Sequence, residues 1–207
     1  MKGPHKGTVI KLCGLTRPQD ILAANRLRPD YVGFVFAPKS RRFVTLRQAE
    51  ELRSLLDPAI RAVGVFVRER PEREAWLVRK GLIDLIQLHG NEGEAEISRL
   101  RELTDCPIIK AFSVENSRAL QEAAASSADL VLLDSGKGGT GRTFDWECLR
   151  NFNRPCFLAG GLSPENAGEA IRRFHPYGVD VSSGIETDGR KDERKMAAFV
   201  AAVRKER

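Results

Sequence analysis

The sequence predicts an α/β fold in which eight parallel strands alternate with helices and close into a barrel. Short β-branched and aromatic runs recur eight times, segments with helical spacing lie between them, and no break in composition interrupts the 207 residues. Alternation implies parallel pairing, and closure leaves no exposed edge strand. We therefore expect a single-domain (β/α)8 TIM barrel over residues 1–207, with residues 1–7 as a flexible extension. An open doubly wound sheet is the alternative.

Each predicted strand is a short run rich in β-branched, aromatic and other apolar residues. The eight runs are Thr8 to Gly14, Tyr31 to Phe36, Arg61 to Val67, Leu85 to Gly90, Pro107 to Phe112, Asp129 to Asp134, Cys156 to Gly161 and Gly178 to Gly184. Between them, apolar residues at helical spacing predict helices, as at Ala167, Ala170 and Ile171 after the seventh run. The last helix is predicted over Asp192 to Lys205, whose apolar residues share one face.

Composition and charge narrow the class of protein. Hydrophobic residues make up 42% of the chain, enough for one buried core. No run approaches the roughly 18 apolar residues that a membrane helix needs, and no secretory signal is recognisable. The net charge is +6, but the 34 basic and 28 acidic residues are mixed along the chain, which argues against nucleic-acid binding. We therefore expect a cytoplasmic protein that binds neither membrane nor nucleic acid.

The cysteines are scattered, with no Cys-x-x-Cys spacing and no neighbouring pair of histidines. They are Cys13, Cys106, Cys148 and Cys156. This pattern predicts neither a structural zinc site nor a disulfide framework.

Polar residues recur on one face of the predicted strands, close to their C-terminal ends, because residues two apart on a strand share a face. On this basis the inward-facing polar residues are Lys11 with Cys13, Gln87 with His89, Lys110, Asp134, and Asp180 with Ser182. Burying polar groups costs free energy unless they are paired, and barrel enzymes carry their chemistry at this end. The set as a whole therefore predicts an enzyme site.

Each member of this set also has a purely structural interpretation. A lone cysteine such as Cys13 is most often a small buried hydrophobe, and His89 can be a core histidine with satisfied hydrogen bonds. Lys11 and Lys110 can pair with the aspartates of strands six and eight in a structural ion network.

Glycine-rich loops after the last two strands predict a phosphate site. Gly160 and Gly161 allow close backbone approach, Ser163 can cap a helix, and Pro164 suits its first position. Backbone N–H groups at a helix N-terminus bind phosphate, and barrels often use the loops after strands seven and eight for this purpose. The eighth strand ends in Ser182-Ser183-Gly184.

A third glycine cluster runs from Gly136 to Thr143 and nearly spells a P-loop, which would indicate a nucleotide hydrolase or kinase. Arg142 stands where that motif requires lysine, and five strand–helix units precede the loop. We therefore favour a flexible loop that reaches over the substrate phosphate.

In their order along the chain, these motifs resemble the phosphoribosylanthranilate isomerase family of tryptophan biosynthesis. The matching segments are Lys11 to Thr16, Gly33 to Phe36, Pro38 to Arg42, Gly64 to Val67, Gln87 to Gly90, Leu133-Asp134, Gly139 to Gly141, Thr143 to Trp146, Ala159 to Leu162 and Val179 to Gly184. The resemblance implies an Amadori rearrangement of N-(5-phosphoribosyl)anthranilate, an aminoaldose, to an aminoketose. The Thr187-Asp188 pair departs from the family's more apolar stretch and is expected not to touch the acid, the base or the carboxylate clamp.

The resemblance also implies residue roles. Asp134 is the general acid that protonates the furanose oxygen, and Cys13 is the general base that removes the C2′ proton. A thiol is basic only as thiolate, so cationic or N–H neighbours must lower the Cys13 pKa, whereas the acid must hold its proton better than a free carboxyl. Arg42, ahead of Arg41, pairs with the anthranilate carboxylate, which suits its planar fork.

The remaining implied contacts hold the sugar and its phosphate. Asp180 orients ribose hydroxyls or the leaving proton. Further substrate contacts are assigned to His89 and Ser182, and the phosphate to Gly160, Gly161, Ser183 and Gly184, with Gly139 and Gly141 nearby.

No metal or organic cofactor is implied, the partner is a small phosphosugar, and the protein is expected to be a monomer or homodimer. One alternative is another barrel phosphosugar isomerase such as the histidine-pathway enzyme, which typically has an aspartate where Cys13 stands. The other is a noncatalytic phosphate-binding protein.

Overall fold

The computed structural model describes residues 7–114, 116–134 and 152–206. The strands of the main sheet are β1 Val9–Cys13, β2 Tyr31–Val35, β3 Arg61–Phe66, β4 Leu85–Leu88, β5 Ile108–Ser113, β6 Leu130–Asp134, β7 Cys156–Ala159 and β8 Gly178–Val181. The helices of the described residues are α1 Pro18–Leu27, α2 Leu46–Leu55, α3 Pro71–Arg79, α4 Glu94–Leu103, α5 Ser117–Ala125, α6 Ala167–Phe174 and α7 Glu193–Lys205. Residues 135–151, between β6 and β7, lie outside this description.

The eight strands form a closed parallel barrel in sequence order, with β8 paired to β1. The predicted (β/α)8 barrel is therefore confirmed, and the alternative of an open doubly wound sheet is excluded. At the closure, Lys11 pairs in register with Asp180, and Cys13 pairs with Gly33 on the other side of β1. These registers bring the C-terminal ends of β1, β2 and β8 together.

Three clusters of buried apolar residues pack on the strands. The largest lies between the barrel and the helices, the second fills the barrel interior, and a small third one, of Cys13, Val35, Ala37 and Val65, lies near the C-terminal ends of β1, β2 and β3. Phe157 fills the interior near the start of β8, with ring centroids 6.0 Å from Tyr31 and 5.4 Å from Tyr177, both edge-on. A Cβ at Gly178 would lie 2.4 Å from the Phe157 ring, so glycine is required there. The packed base leaves the opposite end of the barrel for polar residues.

One local prediction, the inward position of Lys110, was wrong. Lys110 faces outward, because its neighbours Ile109 and Ala111 belong to the interior cluster, and its Nζ donates to the Gly90 carbonyl at 2.7 Å. Its acidic neighbour is Glu92, 3.5 Å away, rather than an aspartate of the barrel interior. Helix α6 is assigned from Ala167, and Ser163 caps the turn that leads into it, as predicted: its Oγ accepts from the Glu165 N–H at 3.3 Å and its carbonyl accepts from the Ala167 N–H at 3.1 Å.

A two-stranded hairpin follows β8, formed by β9 (Glu186–Thr187) and β10 (Arg190–Lys191). Its two loop residues, Asp188 and Gly189, have φ values of 51° and 75°, as a type I′ turn requires. The hairpin thus turns back on itself at the barrel mouth and returns the chain to α7. Among the described residues, no helix is long and apolar enough to span a membrane.

Candidate active site

A cavity of about 300 Å³ opens at the C-terminal ends of the barrel strands. Among the residues predicted for the site, those that line it are Cys13, Arg42, His89, Asp134, Gly160, Gly161, Asp180, Ser182 and Ser183. Gly184 lies beside the cavity without lining it, and Gly139 and Gly141 fall outside the described residues. The fold therefore gathers polar residues from strands far apart in sequence into one pocket.

The floor of the cavity contains a buried ion pair next to Cys13. Lys11 Nζ lies 2.9 Å from Asp180 Oδ1, and the Lys11 side chain is completely buried. Burial alone would lower the pKa of Lys11, but the Asp180 carboxylate and the Cys13 thiol outweigh it and raise that pKa. Lys11 is therefore a fixed positive charge beneath the thiol.

The Cys13 side chain occupies space that β2 leaves open. A Cβ at Gly33 would lie 2.7 Å from the Cys13 sulfur, so a larger residue would displace the thiol. Burial raises the pKa of the Cys13 thiol, Lys11 and Lys191 oppose that shift, and the net pKa is above the ordinary value. The expected cationic neighbours are present, yet the expectation that they lower the pKa of Cys13 is not met.

His89 connects Gln87 to Asp134. The amide Nε2 of Gln87, a donor, lies 2.9 Å from His89 Nδ1, which leaves the ring proton on Nε2. Nε2 in turn lies 3.6 Å from Asp134 Oδ2. Burial lowers the pKa of His89 against the opposing effect of Asp134, so the ring is neutral at neutral pH and directs an N–H towards the carboxyl.

Arg42 reaches the cavity from the loop after β2, where its side chain is held by Glu186 of β9. Arg42 Nε and Nη2 donate to the two Glu186 oxygens at 2.6 and 2.9 Å. A Cβ at Gly14, whose φ is +76°, would lie 2.4 Å from Arg42 Cδ, so glycine leaves room for the arginine stem. Arg41 also donates to Glu186 but does not line the cavity.

The loops after β7 and β8 approach each other closely at the edge of the cavity. Gly160 and Gly161 have φ values of 81° and 69°, which glycine adopts without strain. A Cβ at Gly184 would lie 1.9 Å from the Leu162 carbonyl oxygen, so only glycine permits this contact between the loops. The Ser182 hydroxyl donates to the Cys13 carbonyl at 3.1 Å, which links this side to the thiol.

Within the described residues, no group of three or more His, Cys, Asp or Glu side chains is arranged to hold a metal ion. The arrangement instead offers a thiol, a carboxyl near a neutral imidazole, a guanidinium and glycine-rich loops around one pocket. These groups are able to transfer protons.

Comparison with known proteins identifies the family. The model of the N-(5′-phosphoribosyl)anthranilate (PRA) isomerase family matches residues 10–202. The N-(5′-phosphoribosyl)anthranilate isomerase of Endomicrobium trichonymphae is 43% identical over 199 residues, which cover 94% of this chain and 98% of that protein. The chain belongs to the PRA isomerase family. It is thus an isomerase, as the resemblance of its motifs predicted.

Solved structures of PRA isomerases agree with this fold over nearly their whole length. The Thermotoga maritima enzyme matches with a TM-score of 0.87 at 36% identity, over 96% of this chain and 99% of that chain. A PRA isomerase in complex with reduced 1-(o-carboxyphenylamino)-1-deoxyribulose 5-phosphate matches with a TM-score of 0.85 at 35% identity and the same coverage. The barrel described above is therefore the PRA isomerase barrel.

Glu186, Lys191 and Gly33 support this PRA isomerase site, although the sequence alone did not predict their roles. The Asp188-Gly189 pair is a strong hairpin signal and would have predicted that Glu186 and Lys191 face each other. Glu186, the residue immediately before Thr187 and Asp188, accepts two hydrogen bonds from Arg42. No local signal in the sequence shows that Gly33 accommodates the thiol, because that contact crosses strands.

Proposed function

We propose that this chain converts N-(5′-phosphoribosyl)anthranilate to 1-(2-carboxyphenylamino)-1-deoxyribulose 5-phosphate in tryptophan biosynthesis. The observation that carries the proposal is that, in a member of the PRA isomerase family, a thiol and a carboxyl group line one cavity. A related isomerase is known in complex with a reduced form of that product. The reaction is an internal redox isomerisation, so no external oxidant or reductant is consumed.

Asp134 is the general acid in this mechanism. It donates a proton to the furanose oxygen as the C1′–O bond breaks, which opens the ring and leaves a protonated Schiff base between C1′ and the anthranilate nitrogen. The neutral His89 ring, 3.6 Å away, directs its Nε2 proton to the carboxylate that results. That contact stabilises the charge formed in the first step.

Cys13 is the general base. Its thiolate removes the C2′ proton, the electron pair moves into the C1′–C2′ bond, and the resulting enolamine tautomerises to the aminoketose. Lys11 favours the thiolate because its ammonium is buried beneath the sulfur and cannot be screened by water. Since burial holds the pKa of Cys13 high, the thiolate is a strong base once it forms.

Substrate binding divides between two anion sites. We assign the anthranilate carboxylate to Arg42, and the phosphate to the backbone and hydroxyl groups of Gly160, Gly161, Ser183 and Gly184 in the loops after β7 and β8. Asp180 and Ser182, between these sites, contact the ribose hydroxyls. Holding the two ends of the substrate positions its sugar ring over Cys13 and Asp134.

The proposal is tested by turnover. Purified protein, mixed with freshly made phosphoribosylanthranilate in excess chelator, should change the anthranilate fluorescence catalytically. Cys13→Ala and Asp134→Asn should each lower kcat by about a hundredfold or more, while KM changes much less. The matched control is Cys106→Ala, because Cys106 is a buried cysteine that does not line the cavity.

The two measurements test the activity and the role of Cys13 separately. Absence of turnover by the unmodified protein would refute the proposed activity. Near wild-type kcat in Cys13→Ala would leave the activity standing and make Cys13 a packing residue.

A further inference from the structure

Glu186 sits at the centre of a group of basic side chains beside the cavity. Its side chain is 5% exposed, and it accepts hydrogen bonds from Arg42, from Arg41 at 2.8 Å and from Lys191 at 2.8 Å. Lys191 also donates to the Ser182 carbonyl at 2.8 Å, which ties the hairpin to the end of β8. One buried carboxylate thus faces three basic side chains.

The geometry leaves one side of Arg42 available. Glu186 occupies Nε and one N–H of Nη2, which are two of the five guanidinium N–H donors. The other three side-chain donors have no partner among the described residues, and Arg42 lines the cavity. Contact with Glu186 at one edge and with Gly14 beneath the stem restricts the plane of the guanidinium.

We propose that Glu186 is a positioning residue that holds Arg42 so that its free N–H donors face the substrate carboxylate. The inference rests on the proposed function and deepens it, because it assigns carboxylate selectivity to the hairpin as well as to Arg42. A pre-oriented guanidinium loses less conformational entropy on binding than a free one.

The opposite possibility, that Glu186 competes with the substrate for Arg42, fits the geometry less well. Burial would raise the pKa of Glu186, but hydrogen bonds from Arg42 and Lys191 outweigh it and lower that pKa, so the group is a carboxylate at neutral pH. Arg42 nevertheless retains three donors, and three basic side chains can accommodate a second carboxylate. Glu186 and the substrate can therefore bind Arg42 at the same time.

The test compares two reduced product analogues. One carries the anthranilate carboxylate, and the other has an unsubstituted phenyl group instead of the carboxyphenyl group. Unmodified protein should prefer the first, and Glu186→Gln should weaken its binding by about tenfold while hardly affecting the second. In steady state, KM should rise by a similar factor and kcat should stay within about twofold. In an Arg42→Ala background, Glu186→Gln should have no further effect on the preference.

Arg41→Ala is the matched control, since Arg41 also binds Glu186 but lies outside the cavity, and it should leave the preference unchanged. Should Glu186→Gln fail to fold, Glu186→Asp, which withdraws the carboxylate by one methylene, should weaken the preference instead. Tighter binding in the glutamine variant, or an unchanged preference in a folded variant, overturns the positioning role alone. No preference in the unmodified protein overturns both this role and the proposed carboxylate clamp.

Discussion

Two opposing effects act on the pKa of the Cys13 thiol. Burial raises the thiol pKa, whereas the ammonium groups of Lys11 and Lys191 lower it, and burial outweighs them. The protein therefore holds Cys13 as a thiol at neutral pH. In the proposed mechanism, Cys13 acts as a base only in the small fraction of molecules that have lost its proton.

This state predicts how Cys13 reacts with iodoacetamide. Because the thiolate is the nucleophile, alkylation of Cys13 should be slow at pH 7 and should accelerate by about tenfold per pH unit up to at least pH 9. Mass spectrometry of the Cys13 peptide measures the rate. Cys106, whose pKa burial raises to about 11, provides an internal comparison. A rate that levels off below pH 8 would show a preformed thiolate and contradict the assignment.

At the scale of elements, the loops after β7 and β8 act as one unit because Gly184 lies against the Leu162 backbone. The hairpin of β9 and β10 is a second unit, joined to the end of β8 through Lys191 and to the loop after β2 through Glu186. These contacts surround the cavity with segments that are distant in sequence. We therefore expect substrate affinity to depend on contacts between these loops as well as on the groups that touch the substrate.

Gly184→Ala should disturb the proposed phosphate site. Its Cβ would lie 1.9 Å from the Leu162 carbonyl oxygen, so one loop must move. We expect inhibition by inorganic phosphate to weaken several-fold and unfolding to become easier by about 1–3 kcal/mol. Gly93→Ala is the control, because a Cβ there would approach nothing closer than 3.7 Å. Unchanged phosphate inhibition in a destabilised Gly184→Ala variant would place the phosphate elsewhere.

At the scale of the whole molecule, Glu74 is a buried acidic side chain that lies outside the site. Glu74 of α3 is 1% exposed, and its Oε1 has no hydrogen-bond partner among the described residues. Burial, followed by the charges of Glu92 and Glu69, raises the pKa of Glu74 to about 8. The native protein therefore holds a proton on Glu74 at neutral pH that the unfolded chain releases.

This difference makes stability depend on pH. Since the folded pKa is raised, the native state binds more protons than the unfolded state between about pH 4.5 and 8, and the free energy of unfolding falls as pH rises through that window. Glu74→Gln should remove this pH dependence, so its free energy of unfolding should rise relative to that of the wild type by up to a few kcal/mol between pH 4.5 and 8. Chemical denaturation at several pH values measures it.

Glu72→Gln is the control for that experiment, because Glu72 lies on the same helix with its side chain 58% exposed. Its variant should follow the wild-type pH dependence in this window. Parallel curves for the wild type and Glu74→Gln would mean that Glu74 is ionised in the native protein.

Much of the fold follows from local patterns in the sequence. Period-two alternation predicted that Lys11, Cys13, Gln87 and Asp180 face the barrel interior, because a strand's side-chain direction depends only on the parity of the position. The same rule misplaced Lys110, since alternation alone does not say which of the two faces is the interior. Whether the protein is a monomer or a homodimer remains a prediction.

By itself, the sequence determined the barrel, its strand order and the family, since these depend on repeated periodicity and on ordered motifs. Only the tertiary structure decided which charged groups are paired. Lys11 binds Asp180 because closure of the barrel sets β8 beside β1. Lys110 lies between the inward-facing Ile109 and Ala111, so its side chain faces outward and binds the Gly90 carbonyl. The high pKa of Cys13 and the hold of Glu186 on Arg42 depend in the same way on burial and distance between residues far apart in the chain, which no local pattern encodes.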